Sequence, residues 1–127
     1  MSSLSKTCSG AAAALLFCAA GPSALAGVAG GLWEISREGV APVRLCVANP
    51  ASFAQFQERN SACTRNVIRD SGTDMTINFS CSGGGFGQST ITVLTPRSLR
   101  VQTQGISDNS PFNYVFQARR AGNCPGH

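Results

Sequence analysis

Six cysteines, six carboxylates and one histidine are the side chains in this 127-residue sequence that could support nucleophilic, acid–base or metal chemistry. The histidine is His127, the last residue, so a Ser-His-Asp or Cys-His arrangement would depend on a frayed terminus. Four cysteines fall in the body of the chain, Cys46, Cys63, Cys81 and Cys124, and no two are closer than seventeen positions. Structural zinc sites favour close pairs such as C-x-x-C, so this spacing points to disulfides and to no metal. Four cysteines allow three pairings. The expected one joins Cys46 to Cys63 and Cys81 to Cys124, because the first closes a short loop and the second ties the last segment to a central strand. The carboxylates Glu34, Glu38, Glu58, Asp70, Asp74 and Asp108 do not form an acid–base pair in sequence; Asp70 and Asp74 flank a turn, where Asp bonds the backbone. Ser82-Gly83-Gly84-Gly85-Phe86-Gly87 has no P-loop lysine and precedes a strand, so it reads as a hairpin loop. Asn78-Phe79-Ser80, formally a glycosylation acceptor, lies inside a predicted strand and is discounted. The expectation is a protein that is not an enzyme and has no cofactor.

What remains is binding chemistry, and it depends on where the strands place the aromatic residues. In Met75-Thr76-Ile77-Asn78-Phe79-Ser80-Cys81 every other residue is apolar, the signature of a half-buried strand. The alternation recurs at Phe112, Tyr114 and Phe116, at Leu99 and Val101, and at Trp33 and Ile35. Turn residues separate the runs at 71–74, 83–87, 95–98 and 107–111. Seven strands are predicted, at 31–38, 43–48, 64–70, 75–82, 88–95, 98–106 and 112–120. The expected fold is all-β, a curved antiparallel meander or half-barrel with one short helix and two disulfides. The helix is predicted at 49–58, where Asn49 caps, Pro50 takes the first position, and Phe53 and Phe56 share a face. Parity gathers Trp33, Phe79, Phe112, Tyr114 and Phe116 on the concave side, where they either line an apolar cavity or fill the core.

Residues 1–26 carry Lys6, an eleven-residue apolar run from Gly10 to Ala20, and then Ala24-Leu25-Ala26, the pattern of a secretory signal peptide cleaved before Gly27. The run is too short for a stable membrane span. Cys8 and Cys18 would leave with it, and Phe17 before Cys18 argues against lipidation there. Residues 27–127 then form a single disulfide-bonded β domain in the bacterial periplasm or outside the cell. This segment has nine arginines, no lysine and six acids. The arginines are scattered and no aromatics interleave with them, which argues against nucleic-acid binding.

Gly31-Leu32-Trp33-Glu34, Val43-x-x-Cys46-Val47, the short Pro-containing helix, Cys63, Phe79-Ser80-Cys81 and Ala118-Arg119-Arg120-Ala121-Gly122-Asn123-Cys124, taken in that order, resemble a bacterial periplasmic family, domain of unknown function 3617. The resemblance implies a small exported, mostly β protein and carries over no catalytic residue. Where such proteins often have a Met- and Pro-rich stretch after the Trp motif, this chain has the short Arg37-Glu38-Gly39-Val40-Ala41-Pro42. Two roles are expected of such a domain: a binding module for a small apolar ligand, or a structural or protein-interaction module of the envelope. Small size and disulfides also suggest a protease inhibitor, although no exposed Pro-flanked loop between cysteines supports it.

Overall fold

Alternation at period two drives the chain into strands, and the computed structural model, which describes residues 23–126, forms one antiparallel sheet. Its strands are β1 (Gly31–Arg37), β2 (Val40–Val47), β3 (Cys63–Asp70), β4 (Asp74–Cys81), β5 (Phe86–Thr95), β6 (Ser98–Ser107) and β7 (Ser110–Gly122). A 3₁₀ helix, Pro50–Glu58, separates β2 from β3. The order across the sheet is β2-β1-β7-β6-β5-β4-β3. Strands β3 to β7 are a meander, as expected, but β1 pairs with β7. Strands β2 and β3, consecutive in sequence, are therefore the opposite edges of the sheet. Their connection must cross the sheet, and the helix packs on one face of it, against β4, β5 and β6.

The helix starts as the sequence predicts. Asn49 Oδ1 accepts the Ala51 amide at 3.0 Å and Pro50 follows it. Its 3₁₀ geometry and its kink at Gln55 coincide with bonds to distant residues. The buried Gln55 carboxamide accepts from Arg65 Nη1 at 2.6 Å and donates to the carbonyls of Glu58 and Ser61 at 3.3 and 3.2 Å. Phe53 meets Trp33 edge-on at 5.4 Å between ring centroids, and Phe56 lies 4.7 Å from Phe116. Around these rings pack Met75, Ile77, Ile91, Leu99, Val101 and Ala118. Beneath the helix Ser89 Oγ donates to the Ala54 carbonyl at 2.6 Å. Ser89 has one proton to give, so the 2.7 Å contact to Thr103 is a bond from the Thr103 hydroxyl to Ser89 Oγ.

The disulfides correct the expected pairing. Cys46 bonds Cys124 with 5.5 Å between Cα atoms, and Cys63 bonds Cys81 with 3.9 Å between them. The reason is strand order. Strand β1 lies between β2 and β7, which brings Cys46 near the segment after β7, while Cys63 and Cys81 are direct partners in the β3–β4 ladder. The expected pairing assumed that the helix segment folds back on its own flanks, whereas it leads away to the far edge. Strand β2 also begins at Val40, earlier than predicted; it contains Pro42, which an edge strand tolerates.

Two sites demand particular backbones. Asp108 and Asn109 take φ of 51° and 64° in the two-residue turn between β6 and β7, a twist that suits a hairpin. A Cβ on Gly87 would clash with the Gln104 carbonyl and one on Gly105 with the Phe86 carbonyl, so this pair of partners in β5 and β6 accommodates no side chain.

At the other end Ala24 is buried, and its amide donates to Asp70 Oδ1 at 3.0 Å. Bonds from the Gly72 and Ala24 amides hold the Asp70 carboxyl below its ordinary value of 3.8. No helix among the described residues is long and apolar enough to cross a membrane. The signal-peptide features at Lys6, Cys8, Cys18 and the apolar run lie outside the described residues, as does His127.

Candidate groove between the helix and strand β2

The five aromatics expected on the concave side fall in three places. Trp33 and Phe116 are buried in the cluster that Phe53 and Phe56 complete, and Trp33 Nε1 has no acceptor among the described residues. Phe79 is buried apart from them, its ring over Gly87. Phe112 and Tyr114 are half-buried and continue the row of rings from Phe116, with centroids 5.9 and 6.3 Å apart. The helix thus covers the middle of that face, against β4, β5 and β6.

Space remains beside it. Between the helix and edge strand β2 run two adjoining hollows of ≈210 and ≈370 Å³, which share Phe56 and Arg59. The first is bounded by Ile35, Val40, Val43 and Tyr114, the second by Leu45, Val47 and Phe53. Strand β2 has no partner on its outer side, so nothing in the sheet covers this groove.

Two arginines stand over its floor. Arg37 stacks 3.9 Å from the centre of the Tyr114 ring and Arg59 4.3 Å from the centre of the Phe56 ring. Arg59 also donates to the Phe56 carbonyl at 2.9 Å, and the Tyr114 hydroxyl donates to Gln57 Oε1 at 2.7 Å. Neither guanidinium has a carboxylate within 4.0 Å among the described residues; the ion pairs there join Glu34 to Arg44 and Arg119. Burial raises the Tyr114 pKa above its ordinary value, against the pull of Arg37 and Arg59. An apolar trough under two unpaired cations can hold a molecule with a hydrocarbon body and an anionic head.

Of the five aromatics predicted as binding residues, the groove includes Tyr114 alone. Sequence reasoning missed Ile35, Arg37, Val40, Val43 and Arg59 as members of one site, because the crossing helix is what assembles them. One signal was available: the segment 37–42, singled out for departing from the family pattern, supplies Arg37, Val40 and Ala41 to the groove. Among the described residues no cluster of His, Cys, Asp and Glu could hold a metal ion. The model of the family described as "Protein of unknown function (DUF3617)" matches residues 28–124. No curated protein and no solved structure matches the chain.

Proposed function

Because the chain belongs to the DUF3617 family, whose description assigns no activity, its chemistry must be sought in its own residues, and we propose that it is an exported binding module for amphipathic carboxylates of the fatty-acid class. The hydrocarbon lies along β2 against Leu45, Val47, Phe53 and Phe56, and the carboxylate meets Arg37 and Arg59. The observation that carries the reading is the pair of ring-stacked guanidiniums without carboxylate partners above an apolar groove. The larger hollow exceeds the roughly 300 Å³ at which ligand sites begin. Export is the companion reading, supported by the sequence pattern at 1–26 and by two disulfides, which persist in oxidising compartments. Cleavage after Ala26 yields a domain spanning 27–127 and removes the Ala24 bond to Asp70.

The test compares a long-chain fatty acid with the amine of the same chain in thermal unfolding. A ligand that binds only the folded state raises the melting temperature by mass action, so the acid stabilises and the amine does not. Replacing both Arg37→Glu and Arg59→Glu abolishes the effect of the acid. If acid and amine shift the melting temperature equally, the groove takes hydrocarbon without reading an anionic head and this reading fails; if neither shifts it, the reading as an interaction module of the envelope replaces this one. Intact mass of the exported protein decides cleavage separately: a chain beginning at Gly27 is expected, and a full-length mass would overturn it.

A further inference from the structure

On the opposite face of the sheet the register aligns Asn66, Asn78, Gln88, Gln104 and Asn113, one carboxamide from each of β3 to β7. Gln88 Nε2 donates to Asn78 Oδ1 at 3.0 Å, so the row has begun to bond to itself. Two positions along the strands a second outward row contains Phe86, Ile106 and Pro111, again in register. Between the rows is an open groove of ≈690 Å³, whose lining also includes Phe79, Gly87, Gly105 and Phe112. None of its lining residues is charged. Phe86 is 52% exposed and contributes nothing to the core.

These features select one ligand chemistry. The lack of charge leaves a phosphate or carboxylate without a counter-ion. The strands of the floor spend their amides and carbonyls on one another, so a peptide finds no main-chain partners there. Carboxamides both donate and accept, as sugar hydroxyls do, and an apolar wall facing an amide wall matches a pyranose with its C–H face on one side and its hydroxyls at the rim. Strands about 4.8 Å apart present one carboxamide each, a repeat close to that of an extended β-linked sugar chain. We propose that this outer groove binds a neutral β-linked oligosaccharide, with Gln88 and Gln104 as central hydrogen-bonding residues and Phe86 as the stacking platform.

The experiment is titration of the isotope-labelled protein with the β-1,4-linked tetramers of glucose and of N-acetylglucosamine, read by side-chain and backbone amide shifts. One or both tetramers should move the carboxamide signals of Asn78, Gln88, Gln104 and Asn113. Gln88→Ala with Gln104→Ala should weaken binding by about tenfold with the melting temperature unchanged, and Phe86→Ala should weaken it independently. If neither tetramer moves these signals at millimolar concentration, the proposal fails. It fails equally if the double variant binds as well as the parent, or if a sulfated oligosaccharide binds more tightly than both neutral ones.

Discussion

The inner and outer faces of β4 to β7 are made from alternate residues of the same strands, yet they have opposite contents. Inside, Ile77, Ser89 and Thr103 are sealed under the helix; one residue along, Asn78, Gln88 and Gln104 form a neutral outer row. Even the hydroxyls inside are fully committed, Ser89 to Ala54 and Thr103 to Ser89. The outer carboxamides are only partly committed, with Gln88 bonded to Asn78. Stability is therefore concentrated on one parity of each strand, and the other parity is free to serve recognition.

The strongest test of this contrast removes what closes the inner face. Cys46→Ser with Cys124→Ser opens a bridge spanning 78 positions and should cost about 4–5 kcal/mol in denaturant unfolding; the same change at Cys63 and Cys81, separated by 18, should cost about 3 kcal/mol. Equal costs would show that loop length is not what makes the long bridge stabilising. Phe116→Ala, within the cluster of Phe53, Phe56 and Trp33, should lose about 3–5 kcal/mol. Ser89→Ala strands the Ala54 carbonyl in the core and should lose about 1–3 kcal/mol. Gln104→Ala, one residue from Thr103 but on the outer face, should stay within about 0.5 kcal/mol, and a larger loss would break the division between the faces. The smallest effect belongs to pH. Since folding lowers the Asp70 pKa, first through the Gly72 amide, which cleavage after Ala26 leaves in place, its contribution is present at neutral pH and is lost as the pH falls below 3.8. Asp70→Asn should thus lower the melting temperature at neutral pH, with the difference from the parent vanishing in acid.

Parity was the most legible part of the fold. Met75, Ile77 and Phe79 are buried in the sequence's own alternation, and the cap at Asn49 and Pro50 marked the helix start. Strand order was not legible, because local pattern says which residues face one way but not which strand lies next to β1. That gap produced the wrong disulfide pairing and hid the groove, whose walls come from β1, β2, β7 and the crossing helix. The 3₁₀ form escaped for a similar reason, since the bonds of Gln55 reach Arg65 on a strand at the far edge. Tyr114 could be assigned a face from parity; that it lies at the mouth, under Arg37, depended on where the helix stopped.

Strand order also determines when the molecule can fold. Of the seven described strands β1 is made before the others, but its second neighbour, β7, is made after them, and the cover over Trp33 comes from Phe53 between the two. Pairing across nearly the whole chain is entropically late and slow. A growing chain can complete the meander of β3 to β7 only once β7 is made, and until β7 docks, Trp33 and Ile35 have no complete sheet to enter. The topology thus delays closure of the sheet until β7 has been made, and Trp33 emission reports this late step of folding.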